Sequence, residues 1–261
     1  MRRLILQVGT LWWREVRRYL RQRTRVIGSL LEPVIFWLVL GFGLKASFRP
    51  SGIPAGIDYA QYFYPGMIVL VLLFVAIFST ISTVEDRKQG FLQSVLVAPI
   101  SRTTVVFGQA LGGTTLALIE GAIFLALAPL AGIHLTLEAV AVALAIMAII
   151  AFALTSIGLM IAWRIESTQG FHAIMNPVLI PIWLLSGAFF PLAGAPAALG
   201  WVMRLNPLTY GMAALRRGLY LHQAAALGSI APLRPSLAIA AAFAFVAFLL
   251  AARVARRAAA V

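Results

Sequence analysis

The chain has 261 residues, 62% of them hydrophobic and only 11% charged, with a mean hydropathy of +0.95, too few polar side chains to cover a soluble globule. Its formal charge of +13, from 21 basic against 8 acidic residues, sits at the chain ends and beside apolar runs, which favours membrane orientation over nucleic-acid binding. No cysteine is present, which excludes disulfides, iron–sulfur clusters and thiolate metal sites.

The chain opens without the short apolar core and small-residue cleavage site of a signal peptide. Leu4, Val8, Leu11, Trp12, Val16, Tyr19 and Leu20 share one helical face, and Arg14, Arg17, Arg18, Arg21 and Arg25 fall mainly on the other. Residues 1–25 therefore read as an amphipathic helix on a membrane surface. A first span covers 26–44 and carries Glu32 and Pro33; residues 45–60 form a Gly-, Pro- and Ser-rich loop. A second span covers 62–84. Residues 85–102 are then a polar island, EDRKQGFLQSVLVAPISR, whose ionic head cannot sit in hydrocarbon. Phe91, Leu92, Val95 and Leu96 recur at helical spacing after Gly90, which predicts a short amphipathic helix ending at Pro99.

Further spans are expected at 104–130 and 137–163, and a fifth starts at Phe171 and carries Asn176, Pro177 and Pro181. Residues 191–220 are apolar but broken by Gly and Pro, as expected for a re-entrant or surface hairpin buried against protein. A last span covers 237–252 and is followed by Arg253, Arg256 and Arg257. The fold class is thus all-α with six transmembrane helices. With the N-terminus inside, fifteen basic residues lie inside and six outside, which places both termini and the polar island in the cytoplasm. The arginines between spans five and six are the weak point of that assignment.

Neither lysine, Lys45 or Lys88, follows a glycine, so the chain carries no GxxxxGK[ST] nucleotide loop. His134, His172 and His222 lack the paired spacing of a zinc site, and no nucleophile, base and orienting acid converge. Glu120 is the deepest carboxylate: it could carry a proton, bind a cationic substrate or pack in a hydrogen-bonded pair. Glu32, nearer the cytoplasmic end, reads as a structural ion pair. Gly108 and Gly112 form a GxxxG spacing that serves either close packing within the chain or a dimer seam. Asn176, Pro177 and Pro181 predict a kink, static or used in gating.

Two stretches go further. Glu85 to Arg102, with its acidic head, Gly90-Phe91-Leu92 and Pro99-Ile100-Ser101-Arg102, resembles the cytoplasmic loop of type-2 ABC exporter permeases. Leu185-Ser186-Gly187-Ala188-Phe189-Phe190-Pro191, followed by Asn206-Pro207-Leu208-Thr209-Tyr210 and Arg216, resembles the late signature of the same family. The resemblance implies one permease domain over 1–261, in a bacterial or archaeal cytoplasmic membrane, that forms a homodimer or heterodimer and pairs with a separate ATP-binding cassette subunit. ATP and Mg would bind that subunit and no cofactor this chain, a transport subunit without catalysis of its own. It further implies that Glu85, Gly90, Phe91, Leu92, Val95, Leu96 and Pro99 form a coupling helix seated on the ATPase. Phe190, Pro191, Asn206, Pro207 and Tyr210 would belong to the outer hairpin, and Glu120 and Asn176 would lie near the pathway. The implied cargo is a hydrophobic or amphipathic compound such as a drug, antibiotic or lipid-linked molecule, with polysaccharide or oligosaccharide export as the second class. A proton-coupled secondary transporter using Glu120, or a non-transporting membrane anchor, would be the readings outside the family.

Overall fold

The computed structural model describes residues 2–43, 53, 57–92, 95, 100–221, 227 and 230–257, and all regular structure among them is helical. In chain order, α1 is Arg2–Leu20, and α2 is Arg23–Phe36, widening into a π-helical segment Trp37–Phe42. α3 (Tyr59–Ser79) passes through Thr80 into α4 (Ile81–Lys88). α5 is Arg102–Ala126 and α6 is Leu137–Ala162. α7 (Thr168–Trp183) continues as a wide segment Leu184–Ala188. α8 (Ala197–Leu205), α9 (Pro207–Leu219) and α10 (Leu233–Arg257) complete the chain. Among the described residues, five helices are long and apolar enough to cross a membrane: Tyr59–Lys88, Arg102–Ala126, Leu137–Ala162, Thr168–Ala188 and Leu233–Arg257. These coincide with the second to sixth expected spans. The first falls on α2, whose apolar stretch Ile27–Gly41 is shorter.

The long helices begin where the sequence supplies caps for the first free N–H groups. Asp58 accepts from the Gln61 amide at 2.8 Å and Gln61 returns the bond to the Asp58 amide at 3.2 Å, closing a capping box on α3. Ser101, Thr136 and Ser167 cap α5, α6 and α7 at 3.1, 3.2 and 3.0 Å.

α3 is the axis of the bundle. It is apolar on every face, and other helices enclose it: Phe63, Tyr64, Met67, Ile68, Val69, Val71 and Leu72 are fully buried. α2, α5, α6, α7 and α9 surround it. Small residues allow the close approach: Gly121 of α5 meets Leu72 and Met147, and Gly158 of α6 meets Thr80. α10 packs on α6 and α9 through Ala240, Ala244, Ala247, Ala251 and Ala255, leaving Phe245, Val246, Leu249 and Leu250 outside.

α1 departs from the surface-helix expectation. Its inner stripe of Val8, Trp12, Val16 and Tyr19 packs on protein, chiefly along α5, and the outward stripe is Leu6, Thr10, Trp13, Arg17 and Leu20. The contact runs over the GxxxG pair: a Cβ at Gly108 would lie 2.9 Å from the Leu11 Cβ, and one at Gly112 would lie 2.7 Å from the Glu15 Cβ. Trp12 Nε1 donates to Thr115 Oγ1 at 2.9 Å beside it. Of the two uses left open for this spacing, packing within the chain is the one observed.

Gly112→Leu is expected to lever α1 from α5 and cost about 1–3 kcal/mol. Gly9→Ala, in a helical position with nothing within 4 Å, should instead gain roughly 0.5–1 kcal/mol. Thermal unfolding in detergent checks both.

Candidate functional site

Two regions concentrate the polar chemistry, and a groove lies beside α3. The first region is where α4 ends against α1. Arg14 grips Asp86 with both terminal nitrogens, Nη1 to Oδ2 and Nη2 to Oδ1, each at 2.7 Å. Arg18 donates from Nη1 to Asp86 Oδ1 at 2.9 Å and from Nη2 to Glu85. Asp86 is 1% exposed, so solvent screens this cluster little. Partial burial works against the Arg14 cation, but the bonds from Asp86 outweigh it, and the Arg14 pKa lies above its ordinary value. Burial pushes the adjacent Glu15 carboxyl up, against the pull of the Ser82 hydroxyl that donates to it at 2.8 Å. The Arg14 guanidinium also stands 3.7 Å above the Phe91 ring.

Nearby arginines close helix ends at this side of the bundle. Arg87 donates to the carbonyls of Ala162, Trp163 and Ile165 at 3.4, 2.8 and 3.3 Å, where α6 ends, and Arg102 donates to Ala255 O at 3.2 Å near the end of α10. Cations at helix C-termini complement both the free carbonyls and the dipole.

The second region is at the far end of α7. Gly187 takes φ +82°, a left-handed conformation that stops the helix and leaves its last carbonyls without helical donors. Side chains replace them. Asn206 Nδ2 donates to Ile182 O at 2.7 Å, Thr209 Oγ1 to Leu185 O at 3.2 Å, and Tyr62 OH to Gly187 O at 2.9 Å. Arg216, 4% exposed, bridges Gly187 O and Tyr62 O, both at 3.1 Å, with its guanidinium 3.9 Å from the Tyr62 ring. Pro65 has no N–H for the Gln61 carbonyl, and Tyr220 OH supplies that bond at 3.0 Å. Arg217 donates to Ala231 O at 2.9 Å and to Ile230 O.

Between these regions a groove of about 870 Å³ opens beside α3, bordered by α2 and α7. Its walls mix rings, neutral polar groups and, at the α4 end, the Glu85 carboxylate: Phe74 stacks on Phe78 at 5.6 Å and His172 lies tilted against Phe78 at 5.1 Å, with Ser29, Gln169 and Asn176 alongside. The Tyr19 ring lines it, and its hydroxyl donates to Glu120 Oε1 at 2.6 Å.

The residues singled out from the sequence therefore separate into three places. Glu85, Gly90, Phe91, Leu92 and Val95 share the α4 end, and Leu96 and Pro99 lie outside the described residues, as does the Glu32 side chain. Gly90, at φ +73°, turns the chain after α4. Phe91 then faces outward at 36% exposure, while Leu92, at 4%, packs against Val105, Val106, Leu159 and Trp163. Leu92 is thus buried within this chain. Phe190, Pro191, Asn206, Pro207 and Tyr210 cluster at the α7–α9 end, where Tyr210 OH donates to Arg204 O at 3.1 Å. Asn176 lines the groove; Glu120, 1% exposed, is enclosed behind Tyr19 and is not among the described lining residues. Sequence reasoning did not single out Arg14, Arg18 and Asp86 as a cluster, nor Tyr62, Thr209 and Tyr220 as carbonyl donors. An acid pair beside a span and arginines four apart on α1 was the available signal for the cluster.

Residues 6–220 match the family described as ABC-2 type transporter. The protein ycf38 of Cyanophora paradoxa, whose name gives it as a transport permease, is 28% identical over 200 residues, 75% of this chain and 68% of its own length. Nodulation protein J of Rhizobium leguminosarum bv. viciae is 28% identical over 219 residues, 81% and 83% of the two chains. The inner membrane transport permease YadH of Escherichia coli K12 is 26% identical over 216 residues, 80% and 81%.

Arg216→Met, which removes a buried donor shared by two carbonyls, is expected to cost about 1–3 kcal/mol. The loss should appear in thermal unfolding and as proteolysis near the α7–α9 junction.

Proposed function

The chain belongs to the ABC-2 type transporter family, and on that premise we propose that it is the permease subunit of an ATP-driven exporter of hydrophobic or amphipathic compounds. Members of this family are membrane transport subunits that pair with a separate ATP-binding subunit. In this reading ATP and Mg bind the partner, and the chain holds no cofactor. Two permease chains, identical or related, enclose the pathway in a bacterial or archaeal cytoplasmic membrane. α2 with its π-helical continuation is the first of six spans, and both termini and the α4 end are cytoplasmic. The engagement of Arg216 and Arg217 by carbonyls supports that orientation, because it gives these two cations a structural reason to lie on the outer side.

The observation that carries the proposal is the groove. Gln169, His172 and Asn176 are exposed along α7, and hydrocarbon disfavours such groups unless protein or water covers them. A second permease chain facing α2 and α7 would convert the open groove into an enclosed passage with ring faces and neutral polar groups along its length and the Arg18-paired Glu85 at its α4 end, suited to an amphipathic cargo. The same polar lining supports a glycan-bearing cargo as the second reading. Glu120, packed behind Tyr19, lends itself less to proton-coupled transport than to packing.

The partner would seat on the outward side of the α4 end, where Lys88, Gln89 and Phe91 are exposed. Conformational change in the ATPase would then reach the permease through this end.

Phe91→Asp is expected to leave the chain inserted and folded but to abolish co-purification of the ATP-binding subunit, whereas Leu92→Asp should lower the unfolding temperature of the permease itself. Retained partner binding and transport in Phe91→Asp would overturn the docking assignment. The natural absence of cysteine gives a direct test of the seam. Ile174→Cys should cross-link to a dimer on oxidation in membranes and Phe245→Cys on α10 should not; the reverse pattern would refute the α2–α7 interface.

A further inference from the structure

The Arg14–Asp86 fork joins the α4 end to a helix that precedes it by 72 residues in sequence. A single monodentate pair at a surface would leave α1 free to pivot. Two parallel bonds from one planar guanidinium fix direction as well as distance, and Arg18, one turn along α1, adds a second attachment to the same carboxylate and to Glu85. Ser82 to Glu15 and Arg14 over Phe91 complete the contact, so the outward ring of the loop and the middle of α1 are held as one piece.

α1 then continues past the cluster to Tyr19, whose hydroxyl bonds Glu120 on α5 and whose ring lines the groove. A rigid helix therefore connects the charged end to the groove wall, with an anchored point at either side of one and a half turns. We propose that Asp86 is a positioning residue that locks α1 to the loop, so that displacement of the loop is delivered through Tyr19 to the groove between α2 and α7. Tyr19 is the output of this lever and Asp86 its input. The inference rests on the chain being a permease driven by an ATP-binding subunit through the α4 end.

The experiment uses the full chain co-expressed with the ATP-binding subunit that co-purifies with it, reconstituted in lipid nanodiscs. Spin labels at Ile27→Cys on α2 and Val178→Cys on the side of α7 turned away from the groove, both exposed, report its width with and without ATP and Mg under vanadate trapping. ATP hydrolysis and co-purification are measured on the same samples. Asp86→Asn is expected to keep partner binding and hydrolysis while the nucleotide-shifted distance population falls at least about fivefold. Tyr19→Phe, which leaves the ion cluster intact and so guards against misfolding in Asp86→Asn, should show the same loss. Either variant giving the wild-type shift would overturn the lever. Wild-type chain that neither binds an ATP-binding subunit nor shifts with nucleotide would instead overturn the permease reading on which the lever rests, and with it the lever itself.

Discussion

A helix that ends in a bilayer or a protein interior exposes carbonyl oxygens to surroundings with no water to satisfy them. α7 ends this way at Gly187, and the architecture around it follows from the need to supply donors. Most come from a short stretch of sequence, Asn206, Thr209 and Arg216, and one from Tyr62 on the central helix. To deliver them, the chain after α7 must fold back over its end, which is what α8 and α9 do. The Gly-, Pro- and Asn-rich segment is therefore not a loosely held loop. It is the cap of a broken helix, and Arg216 adds a buried donor that ties its last carbonyl to the central helix.

The same accounting holds at the opposite end, with charges in place of neutral amides. Arg87 and Arg102 close the ends of α6 and α10, while Arg14 and Arg18 neutralise the acids at the end of α4. The arginines of this side thus serve geometry as well as orientation. Between the two satisfied ends, α2 and α7 present an open flank on which the polar groups of Gln169, His172 and Asn176 remain exposed.

Hydropathy made the five long helices legible, because α3, α5, α6, α7 and α10 each carry enough apolar residues to be read from composition alone. Caps at Ser101, Thr136 and Ser167 lie where polar residues interrupt those runs. The family resemblance rested on residues whose physical task becomes visible only in three dimensions: Gly187, Asn206 and Arg216 are distant in sequence and meet at one helix end. The placement of α1 was not legible. Its stripe of Val8, Trp12 and Val16 suits a membrane surface as well as a glycine-lined helix, and periodicity cannot tell lipid from protein. Leu92 and Phe91 illustrate the same limit, since adjacent apolar residues after a turn at Gly90 face opposite environments.

The partners of α1 also set an order of assembly. Trp12 and Tyr19 meet Thr115 and Glu120, residues 103 and 101 positions later, and Arg14 waits for Asp86. α1, made before α5, cannot reach its seat until α5 is in place. During that interval both of its apolar stripes need shelter, and the membrane surface can receive Leu6, Trp13 and Leu20 while the inner face stays available. The outward apolar residues thus suit α1 to rest at a membrane surface until the glycines of α5 are in place.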